Sequence, residues 1–347
     1  MNGKIKEMIL WIASISVLAC VAPACDTIHD FPKPEQAVDP TEIETNVNIN
    51  CKVQLSGINV LTKTDIFSGD SAALYDRRFL IDIRSDEYVD TLVESHLFTK
   101  DAVDTSDFFI KTNLQTRKYK VIVWMDYVKK GTETDLFYNT SNGESINAIH
   151  LPSAENYVAG SDFKDAQTFV SSIDLTPFAG QWFADITIKA PLSRPVSKIT
   201  VLTNDLSEYA KTLGYTGPLK ELAEDLTVEF SYDGFFPTGF NAYTGRLNDS
   251  ETGFGFKTDA RYPYTFEGTD YTRIGSDYVF VNGESSHVNI TVKISSRNGQ
   301  FIREVGSVSV PIVRDRETVV IYKFLTGDYF PKIGINPDFD GEFNIYV

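Results

Sequence analysis

The side chains best suited to chemistry in this sequence are few and scattered. Its four histidines, His29, His96, His150 and His287, stand far apart, and no two share the short spacing at which a helix or hairpin presents metal ligands. Glu284, Ser285, Ser286 and His287 bring an acid, two hydroxyl nucleophiles and a base together, the ingredients of a hydrolase site. They follow directly on Asn282-Gly283, where short polar residues are the normal content of a turn, and the turn is the stronger reading. Asn336, Asp338, Asp340 and Gly341 match positions one, three, five and six of a calcium loop. Position twelve should be a bidentate glutamate leading into a helix, but it is Val347, so an Asp-Gly turn into a last strand fits better. Gly253-Phe254-Gly255 has no helix behind it to hold a phosphate and reads as a turn. Phe235, Phe236, Phe240, Tyr243, Phe254 and Phe256 would stack on sugars if exposed, yet as core filling they need no ligand, and that reading is preferred. HExxH, CxxC, Walker and GxSxG patterns are absent. The expectation is a chain with no catalytic residue, no metal site and no cofactor.

The elements that would carry these residues are mostly strands. In Thr45–Leu55, Val47, Ile49, Cys51, Val53 and Leu55 alternate with polar residues, the period of a half-buried strand. Arg78–Ile83, Phe108–Thr112, Tyr119–Val128, Phe169–Leu175 and Trp182–Lys189 continue the run, with turn-rich pieces such as Asn139–Ser145 between them. A change of texture at APLSRP, after Ala190, predicts a domain boundary. Beyond it come a strand at Ser197–Thr203 and two short helices, Leu206–Leu213 and one opening at Pro218 with Leu219, Leu222 and Leu226 on a face. Strands resume at Thr227–Tyr232, Tyr278–Val281, His287–Ser295, Phe301–Pro311, Thr318–Leu325 and Glu342–Val347. Asn282-Gly283 and Asn298-Gly299 read as hairpin turns. No repeat at fixed spacing links the halves. The fold class expected is all-β: two antiparallel β-sandwich domains in tandem, residues 44–190 and 191–347, with one or two short helices in the second.

The N-terminus reads as an address. Lys4 and Lys6 precede the uncharged stretch Met8–Ala24, the layout of an export signal over residues 1–24, at the short limit for a bilayer span. Ala24 stands directly before Cys25, and Ala19 before Cys20; each resembles a lipobox, in which the cysteine is acylated. The polar chain starts right after Cys25, which favours Cys25 as the lipidated residue. Acyl chains on one residue anchor a protein firmly, at roughly 0.8 kcal/mol per buried methylene. Residues 25–43, acidic and containing Pro32, Pro34 and Pro40, form a tether. Cys51 is then the last free thiol, placed as a core residue, so no internal disulfide is expected.

Composition narrows the partners. Of 347 residues, 42% are hydrophobic and 13% aromatic, with 24 Phe and 17 Tyr, enough for packed β domains. Thirty-two basic against 48 acidic residues give a net charge of −16, which excludes nucleic acid and anionic lipid surfaces as partners.

Several segments, taken in order, resemble fimbrillin-type lipoproteins of the Bacteroidota: the lipobox Cys followed by Ile28–Pro32, then YKVIVWMDYV (Tyr119–Val128), SRPVSKITVLTNDL (Ser193–Leu206), FSYDGFFPTGFN (Phe230–Asn241), DYVFVNGESS (Asp277–Ser286) and FDGEFNIYV (Phe339–Val347). The resemblance implies transthyretin-like, Greek-key sandwiches on an outer-membrane lipid anchor, exposed at the cell surface, with pilus subunits or other surface proteins as partners. It implies strand exchange, for which Phe343, Ile345 and Val347 on one side of the last strand have the needed pattern. It also implies proteolytic processing after a basic residue, placed here at Arg77 or Arg78 in a loop-like LYDRRFL. The function expected is a non-catalytic surface subunit, a fimbrial anchor, accessory protein or adhesin. The alternative is a glycan-binding surface lipoprotein of a polysaccharide-uptake system, motivated by the aromatic Phe235–Phe256 region.

Overall fold

The computed structural model describes residues 48–56, 71–86, 91–104, 106, 108–179, 183–327 and 332–336. Among the described residues the chain is all-β apart from two short helices, Leu206–Thr212 and Leu219–Glu224, and a few single 3-10 turns. No helix among the described residues is long and apolar enough to cross a membrane. Cys20, Cys25, Phe343, Ile345 and Val347 lie outside the described residues.

The first half contains β1 (Asn48–Ser56), β2 (Tyr75–Ser85), β3 (Thr91–Asp101), β4 (Phe108–Leu114), β5 (Lys118–Lys129), β6 (Ile149–His150), β7 (Gln167–Asp174) and β8 (Phe183–Pro191). The second contains β9 (Val196–Thr203), β10 (Leu226–Asp233), β11 (Phe236–Asn241), β12 (Arg246–Glu251), β13 (Gly255–Asp259), β14 (Arg261–Phe266), β15 (Thr269–Phe280), β16 (Ser285–Ser296), β17 (Phe301–Val313), β18 (Glu317–Tyr322) and β19 (Lys332–Asn336).

The sheet orders reveal one plan used twice. In the first half β4-β1-β8 faces β3-β2-β5-β7; in the second β14-β15-β9-β18-β19 faces β13-β10-β16-β17. The opening strand of each half, β1 or β9, pairs antiparallel with one neighbour and parallel with the half's later strand, β8 or β18. The second strand of each half, β2 or β10, sits between an edge strand and the central partner, β5 or β16. The sandwiches are therefore mixed at one sheet, where purely antiparallel sheets were expected. The second half adds both helices after β9 and the β11–β12 hairpin after β10.

Patterning explains the burial. In β1, Val53 and Leu55 point inward while Lys52 and Gln54 are part exposed, the alternation of a strand with one face covered. Strand β5, flanked by β2 and β7 and covered on both faces, buries Val121 to Val128 without a break. Asn298-Gly299 makes the expected hairpin, joining paired β16 and β17. Asn282-Gly283 does not. Strands β15 and β16 belong to different sheets, so this turn carries the chain from one layer to the other. Pro218 caps its helix, which begins one residue later, at Leu219.

The LYDRRFL segment is a strand where a loop was expected. Arg77 and Arg78 sit on β2 with 1% and 0% exposure. The Arg78 guanidinium grips Asp126 on neighbouring β5 through two bonds, Nε to Oδ1 at 2.9 Å and Nη2 to Oδ2 at 2.6 Å. Its Nη1 reaches Asp135 Oδ1 at 2.7 Å and the Glu133 carbonyl at 2.7 Å. Arg77 donates to the carbonyls of Asp101 and Asp104. A protease needs an accessible, extended segment, and the folded strand denies it one. Two arginines in succession looked like a surface loop because their partners lie 24 to 57 residues away in the chain.

Candidate functional site

One short segment carries the ionic contacts between the two halves. Ser161–Ala166 reads SDFKDA, a composition normal for a surface loop, yet Asp162, Phe163, Lys164 and Asp165 are all buried. Each charge plugs into the other half or the joint leading to it. Lys164 Nζ lies 2.7 Å from Asp277 Oδ1 on β15. Arg194, in the joint, clasps Asp165 at 2.9 and 3.0 Å. Lys198 on β9 lies 3.3 Å from Asp162. Asp277 also accepts from the Tyr232 hydroxyl at 2.6 Å, the Tyr157 hydroxyl at 2.5 Å and the backbone N–H of Tyr278 at 2.8 Å. Burial holds the Lys164 ammonium below the usual lysine range, against the pull of Asp277. Buried ions cost several kcal/mol each unless such partners are in place, so the segment fixes the halves in one arrangement.

An aromatic seam runs beside this ionic joint. Phe240 on β11 stacks on Phe280 at 5.5 Å and lies 5.9 Å from Trp124 of β5, which meets Tyr138 edge-on at 5.4 Å. Strand β6 of the first half pairs with β11 of the second, giving a small sheet β12-β11-β6 that crosses the boundary. Arg84 of β2 donates to the Tyr243 hydroxyl at 2.9 Å, and Tyr243 donates to Asp82 at 2.6 Å. The β11–β12 hairpin is thus anchored on both halves.

Of the six aromatics read as candidates, Phe236, Phe240 and Phe254 are buried and Tyr243 and Phe256 half-buried. Phe235 alone is open, at 79% exposure. It stands at a groove of about 620 Å³ between the β11–β12 hairpin and the base of β16 and β17. Asn248, Asp249, Asn282, Ser286 and His287 line the same groove. The serine–histidine run is no triad here. Consecutive residues of β16 point to opposite faces, and Ser286 Oγ accepts the Asn282 N–H at 3.3 Å. Among the described residues, no three His, Cys, Asp or Glu side chains are grouped to hold a metal.

The outer strands β3, β17, β13, β14 and β12 each end a sheet among the described residues. Of these β3 and β17 are long, and they keep apolar side chains in the open: Leu92 and Val93 on β3, Phe301 on β17.

A family model described as a family of unknown function (DUF6562) matches residues 40–347. The chain belongs to that family. No curated protein matches this DUF6562 chain. Among solved structures it is similar to a DUF1812 protein of Bacteroides thetaiotaomicron named for a conjectured polysaccharide binding, at 12% identity and a TM-score of 0.47, over 83% of this chain and 96% of that one. It is similar to the fimbrial anchor protein Mfa2 of Porphyromonas gingivalis, at 12% identity and a TM-score of 0.41, over 83% and 97%. It is also similar to the tip fimbrial protein Mfa3 of the same organism, at 10% identity and a TM-score of 0.42, over 83% and 99%.

The sequence reading passed over Asp162, Lys164, Asp165 and Asp277. The one signal available was Phe163, a large apolar residue inside a charged hexapeptide, which a solvated loop has no reason to carry.

Proposed function

We propose that this chain is a non-catalytic structural protein of the cell surface, acylated on Cys25 and held to the outer membrane, where it serves as a fimbrial anchor or accessory subunit or as an adhesin. The observation that carries the reading is the pair of long edge strands, β3 and β17, which have no strand on their outer side among the described residues and expose Leu92, Val93 and Phe301. Soluble β proteins normally blunt such edges with charge, proline or a covering element, because an open edge is a template for another strand. Both strands do carry charges, Glu94 and Lys100 on β3 and Arg303 and Glu304 on β17, and β17 has Pro311, so it is their apolar ends that support assembly by β-augmentation, in which main-chain bonds give affinity and alternate side chains give selectivity. The donor proposed is the C-terminal segment bearing Phe343, Ile345 and Val347. A subunit that keeps its lipid stays at the membrane and needs no cleavage beside Arg77 or Arg78.

Immunogold electron microscopy of intact native cells tests the role. Gold at filament bases or along filaments is expected; label seen only after permeabilisation would place the protein in the periplasm and overturn the reading. Metabolic labelling with a radioactive fatty acid tests the anchor: Cys25→Ala should lose the label and Cys20→Ala should keep it. Deletion of Glu342–Val347 should abolish intermolecular contacts, and their survival would dispose of the strand-donor role.

A further inference from the structure

We propose that the groove between the β11–β12 hairpin and the base of β16 and β17 is a binding site for neutral saccharides. Its volume of about 620 Å³ lies within the range of small-ligand sites, roughly 300–1,000 Å³. The lining combines one free aromatic ring with planar and hydroxyl hydrogen-bonding groups. Phe235 is more exposed than any other large apolar side chain among the described residues, while its chain neighbour Phe236 is buried. A ring face left in water at the mouth of a groove suits the C–H face of a pyranose. Around it, the Asn248 and Asn282 amides, the Asp249 carboxylate and the Ser286 hydroxyl offer both donors and acceptors, which adjacent sugar hydroxyls require.

Charge selects the class of sugar. The groove is lined by a carboxylate and by no lysine or arginine, on a protein of net charge −16. A uronate or sulfated glycan would enter without a cation to meet it, so the ligand is neutral.

The fold also aims these side chains. Strands β11 and β12 slip register between Pro237 and Gly239 and again before Phe240, a bulge of the kind that re-aims side chains beside binding sites. A Cβ on Gly239 would come within 2.3 Å of Asn248 Oδ1 and 2.7 Å of Asp249 Cβ, so glycine is what lets β12 carry those two residues so close. Arg314, just past β17, donates to the Gly245 carbonyl at 2.9 Å and ties the hairpin tip to the opposite wall. The groove is preformed, which lowers the ordering cost of binding.

Affinity electrophoresis of the folded protein through gels containing mannan, dextran, galactomannan or xyloglucan, against polygalacturonate and chondroitin sulfate, tests this. Retardation by at least one neutral polysaccharide is expected, weakened tenfold or more by Phe235→Ala and by Asn248→Ala and unchanged by Phe301→Ala at the far end of β17. Phe235 is exposed, so its replacement should leave the unfolding transition in place. No retardation by any neutral polysaccharide, retardation by the acidic pair alone, or equal retardation of Phe235→Ala and wild type would each overturn the site. So would capture of a synthetic Glu342–Val347 peptide that Phe235→Ala abolishes, since the groove would then hold a strand. The inference does not depend on the sheet-edge reading: filament association can fail while glycan retardation survives, and the reverse.

Discussion

Replacing Lys164 with methionine takes the ammonium out of a site where it lies 2.7 Å from a carboxylate and both side chains are almost wholly buried. Breaking a buried pair from one side costs about 3–5 kcal/mol, because the remaining charge is left without its partner in a medium that solvates it poorly. The two sides are unequal here. Without Lys164, Asp277 still accepts from two tyrosine hydroxyls and a backbone N–H, and bonds to a charged group contribute about 1.5–3 kcal/mol each. The cost of Lys164→Met should therefore fall near the lower bound, about 3 kcal/mol. Asp277→Leu leaves the ammonium with the Tyr157 hydroxyl alone among its described side-chain partners, and its cost should approach about 5 kcal/mol. The double variant strips both charges and should cost several kcal/mol less than the two added together. Equilibrium urea unfolding of the four proteins gives the cycle directly. A Lys164→Met protein within about 1 kcal/mol of wild type, or a cycle additive to about 0.5 kcal/mol, would refute the argument that this pair locks the halves.

Alkaline pH should unfold the protein steeply. Burial raises the Tyr127, Tyr138, Tyr157, Tyr232 and Tyr278 hydroxyls above the ordinary tyrosine value. The unfolded chain loses these protons above pH ~10 while the folded one keeps them, so stability is intact below that pH and falls above it by about 1.4 kcal/mol per pH unit per tyrosine; tyrosinate absorbance from these five should appear only with loss of far-ultraviolet circular dichroism. Trypsin should leave the Arg77 and Arg78 bonds whole in the native protein and cut them after Arg78 loses its clamp, since Asp126→Ala should cost about 3–5 kcal/mol; mass mapping of the fragments reports both. Phe240→Ala should cost about 3–5 kcal/mol by denaturation, emptying a fully buried site that touches both halves. Gly255→Ala would set a Cβ 2.4 Å from the Phe230 carbonyl oxygen and should lose about 1–3 kcal/mol as β13 shifts from β10.

Central strands were legible because their neighbours impose the pattern. Tyr119–Val128 and Ser197–Thr203 are apolar enough to be strands in any setting, and both sit inside sheets. Strand β3, TLVESHLFTKD, escaped notice since an edge strand with half-open faces needs no strict alternation. No strand is expected between Tyr232 and Tyr278, because the glycines there suggest turns. Gly234, Gly245 and Gly253 do make turns, but Gly239 relieves a close approach to Asn248 between β11 and β12, and Gly255 one to Phe230 between β13 and β10. The common topology of the halves left no repeat in the text, since sheet order depends on which strands pair and not on which residues recur. The ionic joint was the least legible part. Asp162, Lys164 and Asp165 find partners between 29 and 113 positions further along the chain, and a window of ten residues cannot tell a solvated charge from a buried, paired one.

The parallel pairing of first and late strands decides how the first half carries a pulling force. Between Asn48 and Pro191, tension runs in at the start of β1 and out at the end of β8, two neighbours bonded side by side from Asn48↔Phe183 to Ser56↔Pro191. Their loaded ends point opposite ways, so a pull slides one strand along the other and strains the whole ladder at once, whereas an antiparallel pair would open one rung at a time. Strands β9 and β18 repeat the parallel pairing from Lys198↔Glu317 to Thr203↔Tyr322, but there the chain runs on into β19, which lies antiparallel to β18. Forced unfolding is governed by the unfolding barrier, and a shear-loaded ladder raises that barrier without adding to equilibrium stability. The first half is thus built to resist being drawn out lengthwise, along the line from Asn48 to Pro191.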